Sequence, residues 1–151
     1  MELNEIWPLI SEAIKDGGQF EMMPRGISML PLIRPAQDKV VLIEPHDIKK
    51  QDIVLYRRNN GKFVLHRVMY IKNGEYFMCG DNQSFLERGI KIENILAKVS
   101  EIKKDGNTVD TTTKEYKKYI KRLYRKIRKA RIRSFLGRIK RVFIKKKKID
   151  Q

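Results

Sequence analysis

Between residues 39 and 108 the chain is cut into short runs of Val, Ile, Leu, Tyr and Phe by three dipeptides, Asn60-Gly61, Asn73-Gly74 and Asp105-Gly106. Each supplies the positive φ angles that a two-residue hairpin turn demands, and each lies beside β-branched and aromatic residues that suit a pleated surface. The runs predict strands at residues 39–43, 53–57, 63–71, 76–79 and 95–102. Three hairpin signals lead to a mainly β fold, a meandering antiparallel sheet. Ahead of it, Leu3, Ile6, Trp7, Ile10 and Ile14 recur at helical spacing and predict a short amphipathic helix that Gly17-Gly18 would end.

Charge divides the 151 residues differently. Sixteen basic and sixteen acidic residues cancel before Lys114, whereas from Lys114 to Lys148 eighteen Lys and Arg face one acid, Glu115, a local charge of +17 that Asp150 trims to the total of +16. A neutral domain therefore carries a cationic segment, and the two need separate explanations. The expected organisation is an N-terminal helix at residues 1–18, a β-domain at 19–112 and a basic helical tail at 113–151. No run of about 18 uncharged apolar residues offers a transmembrane helix. The acidic start, Met1-Glu2-Leu3-Asn4-Glu5, does not suit a secretory signal, and the single Cys79 cannot pair within the chain. A cytoplasmic location is expected.

Four segments of the neutral domain carry chemistry. In Pro24-Arg25-Gly26-Ile27-Ser28-Met29-Leu30-Pro31 a serine stands at a sharp turn, where backbone N–H groups are free to stabilise an oxyanion. Taken alone, such a serine is most simply a turn residue; to be a nucleophile it needs a base. Of two histidines, His46 falls in a polar loop, Glu44-Pro45-His46-Asp47. His66 falls within a strand, where a group titrating near pH 6.5 is costly to bury unless something pairs with it. The third segment, Cys79-Gly80-Asp81-Asn82-Gln83-Ser84-Phe85-Leu86-Glu87, brings two acids, either of which could accept from a ring N–H of His66 or simply close a turn. Lys62 lies four residues before His66 and is the alternative base. Cys79 reads as a small core residue, and no spacing suits a metal or a phosphate-cradling loop, so no cofactor is expected.

In order, Ser28-Met29-Leu30-Pro31, Gln51-Asp52-Ile53-Val54, His66-Arg67-Val68 and Gly80-Asp81-Asn82 resemble the motif series of type I signal peptidases and their LexA-like relatives, over about half the chain. The His-Arg pair is similar to that of the endoplasmic-reticulum, archaeal and sporulation branch, which has a second acid six residues after the Gly-Asp-Asn aspartate, followed by Arg-Gly. Here that position is Glu87, before Arg88-Gly89, where the branch has Asp. Gln51 replaces that family's usual glycine, and Gly26 stands where bacterial members often have a hydroxyl oxyanion donor. The resemblance implies a signal-peptidase-like β-fold and a serine endopeptidase acting on a leader or precursor peptide. It implies Ser28 as nucleophile, His66 as general base, Asp81 and Glu87 as orienting or structural acids, and an oxyanion site at the backbone N–H groups of Ser28 and Met29. A LexA-like regulatory or nucleic-acid-binding module, or an inactive relative, is the alternative.

The tail predicts basic amphipathic helices. Tyr116, Tyr119, Ile120, Leu123, Tyr124 and Ile127 form one apolar stripe; Ile132, Phe135, Leu136, Ile139, Val142 and Phe143 form a second, rotated about a third of a turn from the first. The rotation predicts a kink between Ala130 and Ser134. Lys and Arg beside long apolar stripes suit an anionic membrane surface, contacted through residues 114–148, better than nucleic acid, so peripheral attachment to the cytoplasmic membrane face is expected.

Overall fold

A computed structural model describes residues 3–149. Helix α1 (Leu3–Ala13) is followed by strands β1 (Gln19–Met22), β2 (Lys39–Ile43), β3 (Ile53–Arg57), β4 (Phe63–Lys72), β5 (Glu75–Cys79), β6 (Glu87–Ile90), β7 (Ile95–Lys104) and β8 (Asn107–Thr108), and then by helix α2 (Lys114–Ile149). The strands form one antiparallel sheet in the order β1-β2-β7-β3-β4-β5-β6, with β8 paired to β7. The three expected turns join β3 to β4, β4 to β5 and β7 to β8. Both residues of Asn73-Gly74 and of Asp105-Gly106 have positive φ, as the tightest hairpins require.

The sheet is not a simple meander. Strand β7 inserts between β2 and β3, with register shifts at Val41/Leu42 and at Leu55/Tyr56. Its ten residues are long enough to reach both strands, and the insertion buries Ala97 and Ile95. Alternation then sends side chains to two sides. Leu55 joins Ile10, Ile14, Leu42 and Ile102 in a core covered by α1, whereas Val54 and Tyr56 join Val68, Met78 and Ile95 in a second. A buried Asp38 fastens the segment between β1 and β2. It accepts hydrogen bonds from the Arg34 guanidinium and backbone N–H, with Lys104 also close, and these hold its carboxyl near about 2 against the cost of burial.

Helix α2 is one continuous helix, so the expected break at residues 130–134 and the plural helices are corrected. Thr113 caps its start by accepting from the Tyr116 N–H. The first stripe packs on the domain: Ile120, Leu123 and Ile127 are buried, Tyr116 and Tyr119 lie against the α1 core, and Tyr124 donates to the Met69 carbonyl. The second stripe needs no kink because it has nothing to turn towards. Ile132, Phe135, Leu136, Ile139, Val142 and Phe143 are all exposed. Among the described residues, no helix is long and apolar enough to cross a membrane.

Candidate active site

The β3–β4 hairpin register puts Val54 opposite His66 and Tyr56 opposite Val64, so Tyr56 is the diagonal neighbour of His66 on the same face. The Tyr56 hydroxyl donates its one proton to Glu87 Oε2 at 2.6 Å and lies 3.1 Å from His66 Nδ1. With that proton committed to a carboxylate, the phenolic oxygen can only accept from the ring. Nδ1 therefore carries the hydrogen, and Nε2 is left with its lone pair. Glu87 is fixed in turn by Arg58, whose Nε and Nη2 donate to its two oxygens at 2.7 Å. Burial works against the Glu87 charge, but the hydrogen bonds from Arg58 and Tyr56 outweigh it and hold the carboxyl below its usual range. Burial pushes the Tyr56 phenol up, reinforced by Glu87.

His66 is 2% exposed, and burial pushes its pKa down to about 4, opposed by the nearby Glu87 charge. Near neutral pH the ring is an uncharged acceptor. It lines a cleft of about 330 Å³ together with Ser28, Gly26, Met29, Arg58 and Gln83. Ser28 and His66, 38 positions apart, thus reach one concavity. The half-buried Ser28 hydroxyl makes no hydrogen bond among the described residues, to His66 or to any other group. Catalytic hydrogen bonds commonly close only once substrate is bound. The backbone N–H groups of Ser28 and Met29 also donate to nothing among the described residues, while Leu30 and Ile33 N–H close the turn around them onto Ile27 and Met29 carbonyls. That turn contains a cis Leu30-Pro31 bond.

Asp81 has a different place. On β4, Arg67 points to the face opposite His66 and meets Asp81 in a two-pronged ion pair at 2.8 and 2.7 Å, with both side chains essentially buried. The Tyr119 hydroxyl donates to the same carboxylate and Lys126 Nζ to the Asp81 carbonyl, both from α2. The Asp81 carboxylate thus accepts three hydrogen bonds, two from Arg67 and one from Tyr119, and makes none to His66. Its turn nevertheless fixes the serine. Asn82 N–H donates to the Ser28 carbonyl at 2.8 Å, and a Cβ on Gly80 would stand 2.6 Å from that same oxygen, so only glycine allows the approach.

The remaining candidates lie elsewhere. Lys62 is exposed in the β3–β4 turn and does not line the cleft. His46 is exposed, bonded to its own loop at the Glu44 carbonyl. Cys79 is buried, with a thiol pushed up to about 11 by that burial. Asp52 pairs with Lys98 and caps the Lys49 N–H. No cluster of three or more His, Cys, Asp or Glu among the described residues is arranged to hold a metal ion. Sequence reasoning missed Tyr56 and Arg58. The hairpin register set by Asn60-Gly61 was the available signal for Tyr56, since it makes that residue a diagonal neighbour of the histidine. Neither a family model nor a curated protein matches the chain.

Proposed function

We propose that the protein is a serine endopeptidase of the signal-peptidase type, with Ser28 as nucleophile and His66 as general base. The observation that supports this best is the His66 tautomer: Glu87, acting through Tyr56, leaves an unprotonated Nε2 on a ring that shares a cleft with an unengaged serine hydroxyl. His66 Nε2 takes the Ser28 proton as Oγ bonds to a peptide carbonyl carbon. The resulting oxyanion is stabilised by the unused N–H groups of Ser28 and Met29. The imidazolium returns its proton to the leaving amine as the C–N bond breaks, and water deprotonated by the same ring then hydrolyses the ester. Glu87 and Tyr56 orient the ring; Asp81 holds the Ser28 turn.

The free edge of β1 runs into the cleft at Met22 and Pro24, which suits an extended peptide added as a further strand, so a leader or precursor segment is the proposed substrate class. The test is cleavage of extended peptides by the full chain and by Ser28→Ala. In the native protein Ser28 Oγ should be phosphonylated by a serine-directed aryl phosphonate, forming a P–O bond as the aryloxide leaves, whereas Ser28→Ala should fold normally, resist labelling and lose at least about 10³-fold in turnover. Unchanged cleavage by the variant, or no labelling and no cleavage by the native chain, would overturn the proposal in favour of an inactive or regulatory relative.

A further inference from the structure

The Glu87–Arg88 step on β6 divides two sites. Glu87 faces Tyr56 and the histidine, while Arg88 lines a separate cleft of about 640 Å³ between the 84–88 segment and α2. Three more guanidinium groups, Arg128, Arg131 and Arg138, line that cleft, together with Ser84 and Ser134. None of the four arginines is in an ion pair among the described residues. Arg88 stacks over Phe77 and Arg131 over Tyr70, contacts that leave the charge of each uncompensated, so four guanidinium groups without a carboxylate partner share one concavity, and their donors match phosphate oxygens.

The same cleft is partly apolar. Phe85 and Phe135 are each 59% exposed on its rim, and Phe135 and Arg138 continue into a shallow groove with Ile139, Val142 and Phe143 along the distal half of α2. A free phosphate or a nucleic-acid backbone would meet the arginines and leave this apolar band in water. A lipid would occupy both. At 100° per residue, Arg131 and Arg138 lie on one flank of the band and Arg133 and Lys140 on the other, the arrangement of a helix lying in a membrane interface.

We propose that the distal half of α2, with Arg88 and Phe85, docks on an anionic bilayer and seats a phospholipid phosphate among the four arginines, its acyl chains running along Phe135, Ile139 and Phe143. Residues 114–127 take no part, because the body of the domain covers their apolar stripe. The surface is independent of the proposed peptidase chemistry, so Ser28→Ala should bind vesicles as the native chain does.

Cosedimentation of the full chain with vesicles of about 30% phosphatidylglycerol in phosphatidylcholine tests the docking. Binding should exceed that to pure phosphatidylcholine by at least a hundredfold. Arg131→Gln/Arg138→Gln should weaken it roughly thirtyfold and Phe135→Ser/Phe143→Ser at least tenfold; all four side chains are exposed, so the fold should survive. Lys117→Gln/Lys121→Gln removes the same charge from the proximal half and should weaken binding less than threefold. No binding to the anionic vesicles, or equal losses in the two charge variants, would overturn the proposal. Tighter binding to duplex DNA that is indifferent to the phenylalanine pair would overturn it in favour of nucleic acid.

Discussion

Two partly or wholly buried carboxylates, Asp81 and Glu87, stand six residues apart on either side of a short loop and end up in unlike environments. Asp81 is enclosed by donors that belong to the framework: a guanidinium from β4 and a phenol from α2. Glu87 is likewise held by a guanidinium and a phenol, but its phenol hands the polarity on to a histidine whose second nitrogen makes no hydrogen bond among the described residues. Equal chemistry thus gives a rivet in one case and a lever in the other, and the difference lies in whether the chain of donors closes on itself. His66 and Arg67 are adjacent on β4, and alternation alone sends each to its own acid.

The widest separation should come from replacing each acid. Asp81→Asn leaves Arg67 charged and half-paired in the interior and should cost roughly 3 to 5 kcal/mol in chemical denaturation. Glu87→Gln, at a partly exposed position, should cost much less while lowering kcat. Equal losses of stability in the two variants would erase the distinction. Tyr56→Phe breaks the link while leaving the Arg58–Glu87 pair in place. It should lower kcat by about 10- to 100-fold with little change in KM and with about 1 kcal/mol of stability lost. Unaltered kcat would mean that the ring needs no orienting partner.

Proton linkage sharpens the same contrast. Because burial depresses His66 to about 4, the acid limb of kcat/KM should fall near pH 4 instead of 6.5, and Glu87→Gln should move it lower still by removing a charge that favours the imidazolium. In the unfolded chain the ring takes up its proton near pH 6.5. The folded state declines it until about 4, so stability is complete above pH 6.5 and falls as pH drops through that window, by about 3 kcal/mol in all. Denaturation midpoints measured between pH 7 and 4 should trace this loss, and His66→Gln should flatten it. The smallest effect is expected at Gln51, held at φ 80° in the left-handed region. Gln51→Gly should raise stability by up to about 1 kcal/mol, because relief of backbone strain exceeds the entropy that glycine adds to the unfolded chain; a clear loss would mean the side chain is used.

The strands written in β-branched and aromatic residues were legible: β2 and β3 fall on the expected bounds, and β4, β5 and β7 within two residues of theirs. Strands β1 and β6 were not, because four residues such as Glu87-Arg88-Gly89-Ile90 carry too little apolar pattern to declare themselves. Nor was the insertion of β7, which depends on long-range pairing that no local run encodes. Of the candidate site, Ser28 and His66 were singled out together in the sequence, and the structure adds that both line one cleft. The division of labour between Asp81 and Glu87 was not, since it depends on which face each neighbour presents. The two apolar stripes on α2 were both visible, but only packing reveals that one is buried and the other bare.

The joint around Asp81 bears on what the basic segment is for. Tyr119 and Lys126 of the helix grip the Asp81 turn, and that turn grips the Ser28 carbonyl through Asn82. The first half of the helix is therefore a latch across the serine loop, and trimming the protein back to Thr113 would remove more than a cationic appendage. It would uncover the domain surface that Ile120, Leu123 and Ile127 pack against and loosen the turn that carries the Ser28 hydroxyl.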